Sequence, residues 1–105
     1  MTREQQFATI SAAKAHVLQW AESRHVPLVH VDVVVPFVET DFSLSVWLFY
    51  DTDASVSACS LSGTTAAVQA EYRAGLSAAG YDLGLLPQVE FYMGLTRERG
   101  PALRG

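Results

Sequence analysis

The stretch Leu28–Tyr50, LVHVDVVVPFVETDFSLSVWLFY, decides the fold because it contains two strand-forming runs separated by a short acidic turn. In the first run every odd position from residue 29 to residue 37 is apolar, whereas the even positions include His30 and Asp32. Alternation with a period of two, in a segment rich in β-branched residues, is typical of a strand with one buried face. From residue 42 to residue 50 the apolar face falls on the even positions instead.

The two runs predict an antiparallel hairpin whose register is constrained by these faces. Residues directly opposite each other in an antiparallel pair point to the same side of the sheet. A tight turn through the acidic segment sets His30 opposite Phe49 and Asp32 opposite Trp47. A shift of two residues in either direction keeps the same faces together, so those registers stay open.

A first helix is predicted to begin at Thr2 and to end near Arg24. Thr2 followed three residues later by Gln5 has the form of a capping box, and Pro27 prevents the helix from continuing. Apolar residues recur between these limits at intervals of three and four residues, which is typical of a buried helical stripe. The predicted stripe contains Phe7, Ile10, Val17, Leu18 and Ala21, with Ala13 and Trp20 alongside.

The second half of the chain predicts another helix and a last strand. Residues 55–61, SVSACSL, fit either a third strand or an extended connection, and the strand is preferred. Turn and capping residues then introduce a helix over Thr65–Ala79, with Gly80 as its left-handed terminator. Alternation returns at Gln88–Leu95. The predicted fold class is α+β, with two helices packed on one face of a mainly antiparallel sheet in the order α-β-β-(β)-α-β.

Length and composition predict a folded single domain over residues 1–95, followed by a flexible basic tail over residues 96–105. Half of the residues are apolar and only 17% are charged, which excludes the composition of a disordered chain. Residues 1–95 carry ten acidic and four basic side chains. Such an acidic body argues against a nucleic-acid partner, because affinity for the phosphate backbone depends on clustered lysine and arginine.

The sequence predicts a soluble, cytoplasmic protein. Its one cysteine, Cys59, cannot form an internal disulfide, so the fold does not require an oxidising compartment. The first twenty residues contain no continuous apolar segment of the kind found in a signal peptide. No apolar run is long enough to cross a bilayer, so no membrane association is expected.

The positions that face away from the predicted core form a second sheet surface. Trp47, Phe49 and Tyr92 are costly to leave in water, and aromatic residues are enriched at protein interfaces. Three explanations stay open: a partner chain covers this surface, a helix of the same monomer folds over it, or a ligand binds there, with the partner chain preferred. The candidate ligand or partner face comprises His30, Asp32, Ser45, Trp47, Phe49, Glu90 and Tyr92, with Val34 and Ser43 beside them.

His30 and Asp32 provide the strongest candidate for chemistry on this face. A histidine oriented by a carboxylate can act as a general base or as a metal ligand, and Glu90 approaches them if the last strand pairs beside the first. A structural or interface histidine is the commoner arrangement. His16 and His25 lie at no recognised ligand spacing, so neither a metal nor a cofactor is predicted.

Other local motifs favour structural roles. Asp51, Asp53 and Ser55 imitate the start of a calcium loop, but glycine and glutamate are missing from its sixth and twelfth positions. Residues 62–65 lack the lysine and the glycine spacing of a phosphate-binding loop. Cys59 is expected to be a packed thiol. No Ser-His-Asp signature or dinucleotide fingerprint is present, and no catalytic residue is predicted.

The aromatic face and the missing catalytic signature favour a non-catalytic protein-binding domain of the adaptor or chaperone-like kind. It is expected to form a homodimer through the aromatic sheet face or an edge strand, and to bind other proteins. Its element order is similar in outline to that of several folds, including the dimeric chaperones of secretion systems, which are also small and acidic.

The alternative is a small-molecule-binding protein or minor enzyme that uses His30, Asp32 and Glu90 beneath Trp47 and Tyr92. Binding of nucleic acid ranks third. Aromatic residues on an open sheet can stack on bases, but this face carries acids without compensating bases.

Overall fold

The second strand-forming run of the sequence, Leu44–Tyr50, forms the central strand of the sheet. A computed structural model describes residues 2–38 and 41–95. These residues form α1 (Arg3–Ser23), β1 (Leu28–Val34), β2 (Leu44–Tyr50), α2 (Asp53–Ser62), α3 (Thr64–Ala78) and β3 (Val89–Leu95), with a short 3-10 helix at Leu86–Gln88. The strand order is β1-β2-β3. This arrangement confirms the α+β class, while the predicted basic tail lies outside the described residues.

The sheet is mixed, whereas a mainly antiparallel sheet was expected. β1 pairs antiparallel with β2, and β3 pairs parallel with β2. A parallel neighbour requires a long crossover connection, which α2 and α3 supply together. The periodicity of β3 predicts a strand but carries no information about its direction relative to β2.

Both predictions for residues 55–61 are wrong, because these residues belong to α2. Thr52 has extended backbone angles, and its hydroxyl accepts a hydrogen bond from the Ser55 amide at 3.0 Å, which caps the helix. Gly63, with φ of 83°, ends α2 and directly precedes α3. A positive φ is favourable for glycine because it has no Cβ atom. The aspartates around Thr52 therefore introduce a helix rather than an isolated turn.

Both ends of α1 lie where the sequence predicts them. The capping box is complete, because the Thr2 hydroxyl accepts from the Gln5 amide and the Gln5 side chain accepts from the Thr2 amide. At the other end the amides of His25 and Val26 donate to the carbonyls of Glu22 and Ala21, at 3.2 and 2.8 Å. This is a Schellman motif, and it holds His25 at a φ of 58°.

The helices cover the face of the sheet that carries the apolar even positions of β2. Leu44, Val46, Leu48 and Tyr50 are at most 1% exposed, and the Tyr50 hydroxyl lies 3.0 Å from the Thr65 hydroxyl of α3. The helical contribution to this core comes from Ile10, Ala13, Val17, Ala21, Cys59, Val68, Tyr72 and Leu76.

The predicted stripe of α1 is wrong at one position. Phe7 is 47% exposed, and Gln6 is fully buried in its place. The Gln6 amide donates to the Phe42 carbonyl at 3.2 Å, and the Tyr81 hydroxyl donates to the same carbonyl at 3.1 Å. Because a buried amide is stable when it is hydrogen-bonded, these contacts allow a polar residue to occupy the core position.

The predicted core face of β1 is shorter than the sequence indicates. Val31 is fully buried, but Val29 is 51% exposed because it is the extra residue of a bulge between Leu28 and His30. Phe37 is fully exposed because the strand ends at Val34, before Pro36.

Arg3 fixes the connection between β1 and β2. Its guanidinium donates to the backbone carbonyls of Pro36, Val38 and Asp41 at 2.9, 2.7 and 3.2 Å. It also lies over the Phe42 ring, 5.6 Å from the ring centre. The first turn of α1 and the β1–β2 connection are therefore joined by one side chain. Across residues 2–38 and 41–95, no helix combines the length and the apolar character needed to cross a membrane.

Candidate binding face

The register of the sheet assembles the predicted face. The pairs His30–Phe49 and Asp32–Trp47 occur as predicted. β3 adds a third member to each row, so Asp32, Trp47 and Tyr92 lie side by side across the sheet. The next row contains Val34, Ser45 and Glu90. We call this surface, which comprises His30, Asp32, Val34, Ser45, Trp47, Phe49, Glu90 and Tyr92, the aromatic face.

Ring contacts connect the centre of the aromatic face. Trp47 and Tyr92 stack with their ring centres 4.9 Å apart and their planes inclined by 24°. Trp47 and Phe49 stack at 6.4 Å, and His30 lies 5.7 Å from Phe49. Offset stacking at such distances is favourable beyond the area it buries, so the four rings form one continuous cluster.

The exposed fraction differs among the side chains of this cluster. Trp47 and Tyr92 remain 37% and 40% exposed, although the helices cover the opposite side of the sheet. Phe49 is only 6% exposed, so it contributes little accessible surface to the face. His30 and Asp32 are partly buried, and an Asp32 carboxylate oxygen accepts from the Val33 amide at 3.1 Å. The most accessible apolar surface of the cluster is therefore the Trp47–Tyr92 stack.

Glu90 does not join His30 and Asp32. The expected approach required β3 to lie beside β1, but β3 lies beside β2 and Glu90 is opposite Ser45. Two strand spacings, about 10 Å, separate β3 from β1 before any offset along the strands is added. Within the described part of the chain, no group of three or more histidine, cysteine or acidic side chains is placed to hold a metal ion.

A second histidine–carboxylate pair lies on the helical side of the molecule. His16 Nε2 is 2.7 Å from Glu71 Oε2, which joins α1 to α3. The pair lies beside Gly75, where the helices approach closely. Sequence reasoning missed it, because its two members come together only through the packing of α1 on α3. The glycine within α3 was the one local signal of that close approach.

Two surface cavities lie along α1 and α3, away from the aromatic face. One, of about 460 Å³, is lined by Gln5, Ala8, Thr9, Ala79, Gly80 and Asp82. The other, of about 470 Å³, is lined by His16, Glu71, Gly75 and four alanines. Neither includes a residue of the aromatic face. Both cavities therefore lie on the helical side of the molecule.

Cys59 has the environment of a structural thiol. It is 6% exposed within α2, and burial raises its pKa above the ordinary value. A higher pKa lowers the fraction of reactive thiolate at neutral pH. The expectation of a packed cysteine therefore agrees with its position.

The chain was compared with family models, with curated proteins and with solved structures, and nothing in any of the three comparisons matches it.

Proposed function

We propose that the protein is a non-catalytic binding domain that self-associates as a homodimer and presents its sheet to other proteins as an adaptor or chaperone-like module. The observation that carries this proposal is the exposed Trp47–Tyr92 stack on the sheet face opposite the helices. Tryptophan and tyrosine are the residues whose burial most often dominates interface energies. A cytoplasmic location belongs to the same proposal.

The composition of the aromatic face supports a protein partner over a nucleic acid. Asp32 and Glu90 flank the Trp47–Tyr92 stack, and acidic groups repel a phosphate backbone. A protein surface can instead cover the rings with apolar groups and place its polar groups at the acidic rim. The separation of Glu90 from His30 removes the main support for a small-molecule site.

The proposal is tested by light scattering coupled to size exclusion at micromolar protein concentration. The native chain is expected to elute with the mass of a dimer. Trp47→Ser is expected to weaken dimerisation by about tenfold, because Tyr92 then loses the ring on which it stacks.

Leu61→Ser is the matched control, because Leu61 is a 90% exposed apolar residue of α2, away from the sheet face. It is expected to leave the mass unchanged. Circular dichroism checks that both variants retain the fold. A native chain that remains strictly monomeric at micromolar concentration would remove the self-association from the proposed function.

A further inference from the structure

Two strands of the described sheet have an outer edge, and β1 carries more features that block pairing with another strand. On β3 one such feature lies at the first residue, where Arg73 donates to the Val89 carbonyl at 3.4 Å. β1 is interrupted by the bulge at Val29 and runs towards Pro36, whose carbonyl is bonded by Arg3. Bulges and prolines are common protections of an edge against pairing. Residues Val89–Leu95 contain no proline and pair with β2 without a register shift. β3 is therefore the less protected edge.

The β3 edge also exposes large apolar side chains on both sides of the sheet. Tyr92 is 40% exposed on the aromatic face. Met93 points to the helical side, next to the fully buried Leu48, yet it is 37% exposed. A partner stacked flat on the aromatic face would cover Tyr92 and leave Met93 in water. A strand paired with the edge of β3 instead places its own side chains against both Tyr92 and Met93.

We propose that a second copy of this chain pairs antiparallel with β3 about a two-fold axis at Tyr92, to form one continuous six-stranded sheet. This inference rests on the self-association proposed above and names the edge, the register and the partner. A two-fold axis perpendicular to the sheet makes the pairing of two identical strands antiparallel. It sets Tyr92 opposite the partner's Tyr92, Phe91 opposite the partner's Met93, and Glu90 opposite the partner's Gly94.

The position of the charged residue Glu90 favours a two-fold axis at Tyr92 over an axis at Glu90 or Phe91. Glu90 is the one charged residue of β3, and an axis at Tyr92 places it opposite a glycine. An axis at Glu90 would set two carboxylates directly opposite each other, which is destabilising in a strand pair. An axis at Phe91 would set each carboxylate against the ring of Tyr92. The axis at Tyr92 also continues the Trp47–Tyr92 stack into the second copy and pairs apolar side chains on the helical side.

Disulfide trapping in a Cys59→Ala background tests the register. Tyr92→Cys places two cysteines at the axis, within the roughly 4.4–6.8 Å Cα separation that a disulfide needs. Glu90→Cys separates the two thiols by about 14 Å along the strands. Val34→Cys supplies the matched control on β1, because Val34 is 58% exposed. Under mild oxidation, only Tyr92→Cys is expected to give a covalent dimer that reduction dissociates.

A second experiment keeps the central tyrosine. Glu90→Cys and Gly94→Cys are purified separately and mixed, and the covalent dimer is expected in the mixture but in neither variant alone. A native dimer that crosslinks through Val34→Cys, through Glu90→Cys alone or in none of these experiments overturns the β3 pairing while the proposed self-association stands. A native chain that is monomeric by light scattering removes both.

Discussion

At the scale of single residues, Tyr72 combines complete burial with an unsatisfied hydroxyl. The side chain is fully buried in α3, and its ring packs edge-on against Phe91 with the ring centres 6.0 Å apart. Among residues 2–38 and 41–95, nothing forms a hydrogen bond with its hydroxyl. Tyr81 is also buried, but its hydroxyl bonds the Phe42 carbonyl. The two tyrosines therefore differ in the one group that a change to phenylalanine removes.

Tyr72→Phe is expected to raise the free energy of unfolding by about 1 kcal/mol, because it removes a polar group whose desolvation is not compensated. Tyr81→Phe is expected to lower it by about 1 kcal/mol, since the partly buried Phe42 carbonyl then keeps only the Gln6 amide as a donor. Urea denaturation followed by tryptophan fluorescence measures both. A loss of stability in Tyr72→Phe as large as that in Tyr81→Phe would contradict the assignment of an unsatisfied hydroxyl.

His25 occupies a position that favours glycine. It holds a left-handed conformation at the end of α1, with φ of 58°, and its side chain is exposed. His25→Gly is expected to raise the free energy of unfolding by up to about 1 kcal/mol, after the greater flexibility of glycine in the unfolded chain is subtracted. His25→Ala keeps the Cβ atom and is expected to give no gain. Thermal unfolding of the two variants separates these outcomes.

Residue-scale prediction from the sequence succeeds where side-chain alternation is regular. The membership of the aromatic face and the pairs His30–Phe49 and Asp32–Trp47 follow from a period of two. The exchange of Phe7 for Gln6 in the core does not, because it depends on a carbonyl 36 residues away in the sequence. The burial of Phe49 and the distance of Glu90 from His30 likewise depend on tertiary placement.

At the scale of secondary-structure elements, the contact of α1 with α3 depends on a missing side chain. A Cβ atom on Gly75 would lie 3.1 Å from the Ala13 Cα and 3.3 Å from the Ala13 Cβ. Gly75→Val is expected to lower the free energy of unfolding by about 1–3 kcal/mol, because the helices must separate to admit it. Ala74→Val, at an exposed position of the same turn, lowers helix propensity as any β-branched residue does, but it does not force α1 and α3 apart. Equal losses in the two variants, measured by urea denaturation, would show that the close approach is not needed.

α2 shows why one element could not be predicted correctly. Residues 55–61, SVSACSL, have neither a clear period of two nor a clear apolar stripe. In α2 as the structure describes it, Cys59 is the only buried residue. The decisive signals lie at its ends, in the hydroxyl of Thr52 and the left-handed Gly63. The aspartates on either side of Thr52 also have the composition of a turn, which favoured the wrong interpretation.

At the scale of the whole molecule, buried hydroxyl and thiol groups that ionise at alkaline pH make the free energy of unfolding depend on pH. Burial raises the pKa of Tyr72 and of Tyr50, although a hydrogen bond with Thr65 partly opposes the shift in Tyr50. Burial likewise raises the pKa of Cys59. Above the ordinary values, about pH 8.5 for cysteine and about pH 10 for tyrosine, the unfolded chain therefore binds fewer protons than the folded one. Stability falls as pH rises under that condition.

The urea midpoint is accordingly expected to be highest below about pH 8.5 and to fall progressively towards pH 11. Tyr72→Phe is expected to reduce the slope of this decline above about pH 10, because the variant lacks one of the buried hydroxyls whose pKa is raised in the folded chain. Midpoints measured at several pH values for the native chain and the variant provide the comparison. Parallel declines in the two proteins would contradict a contribution from Tyr72.

The topology of the whole sheet is the part that sequence patterns describe least. Periodicity gives β3 a core face and an aromatic face, but it does not tell whether the strand joins β1 or β2, or in which direction. That choice follows from the length and helical nature of the crossover through α2 and α3. The missed helix and the unexpected parallel pair are therefore two consequences of the same misread segment.

The Arg3 guanidinium, which bonds three carbonyls of the β1–β2 connection, has a consequence for local unfolding. The first turn of a helix and a surface connection are both regions that normally open with little free energy, each on its own. Here neither can open fully without breaking the same set of bonds. Amide hydrogens in the first turn of α1 and around Phe42 are thus expected to exchange as one cooperative unit. Arg3→Ala would divide that unit into two that exchange independently.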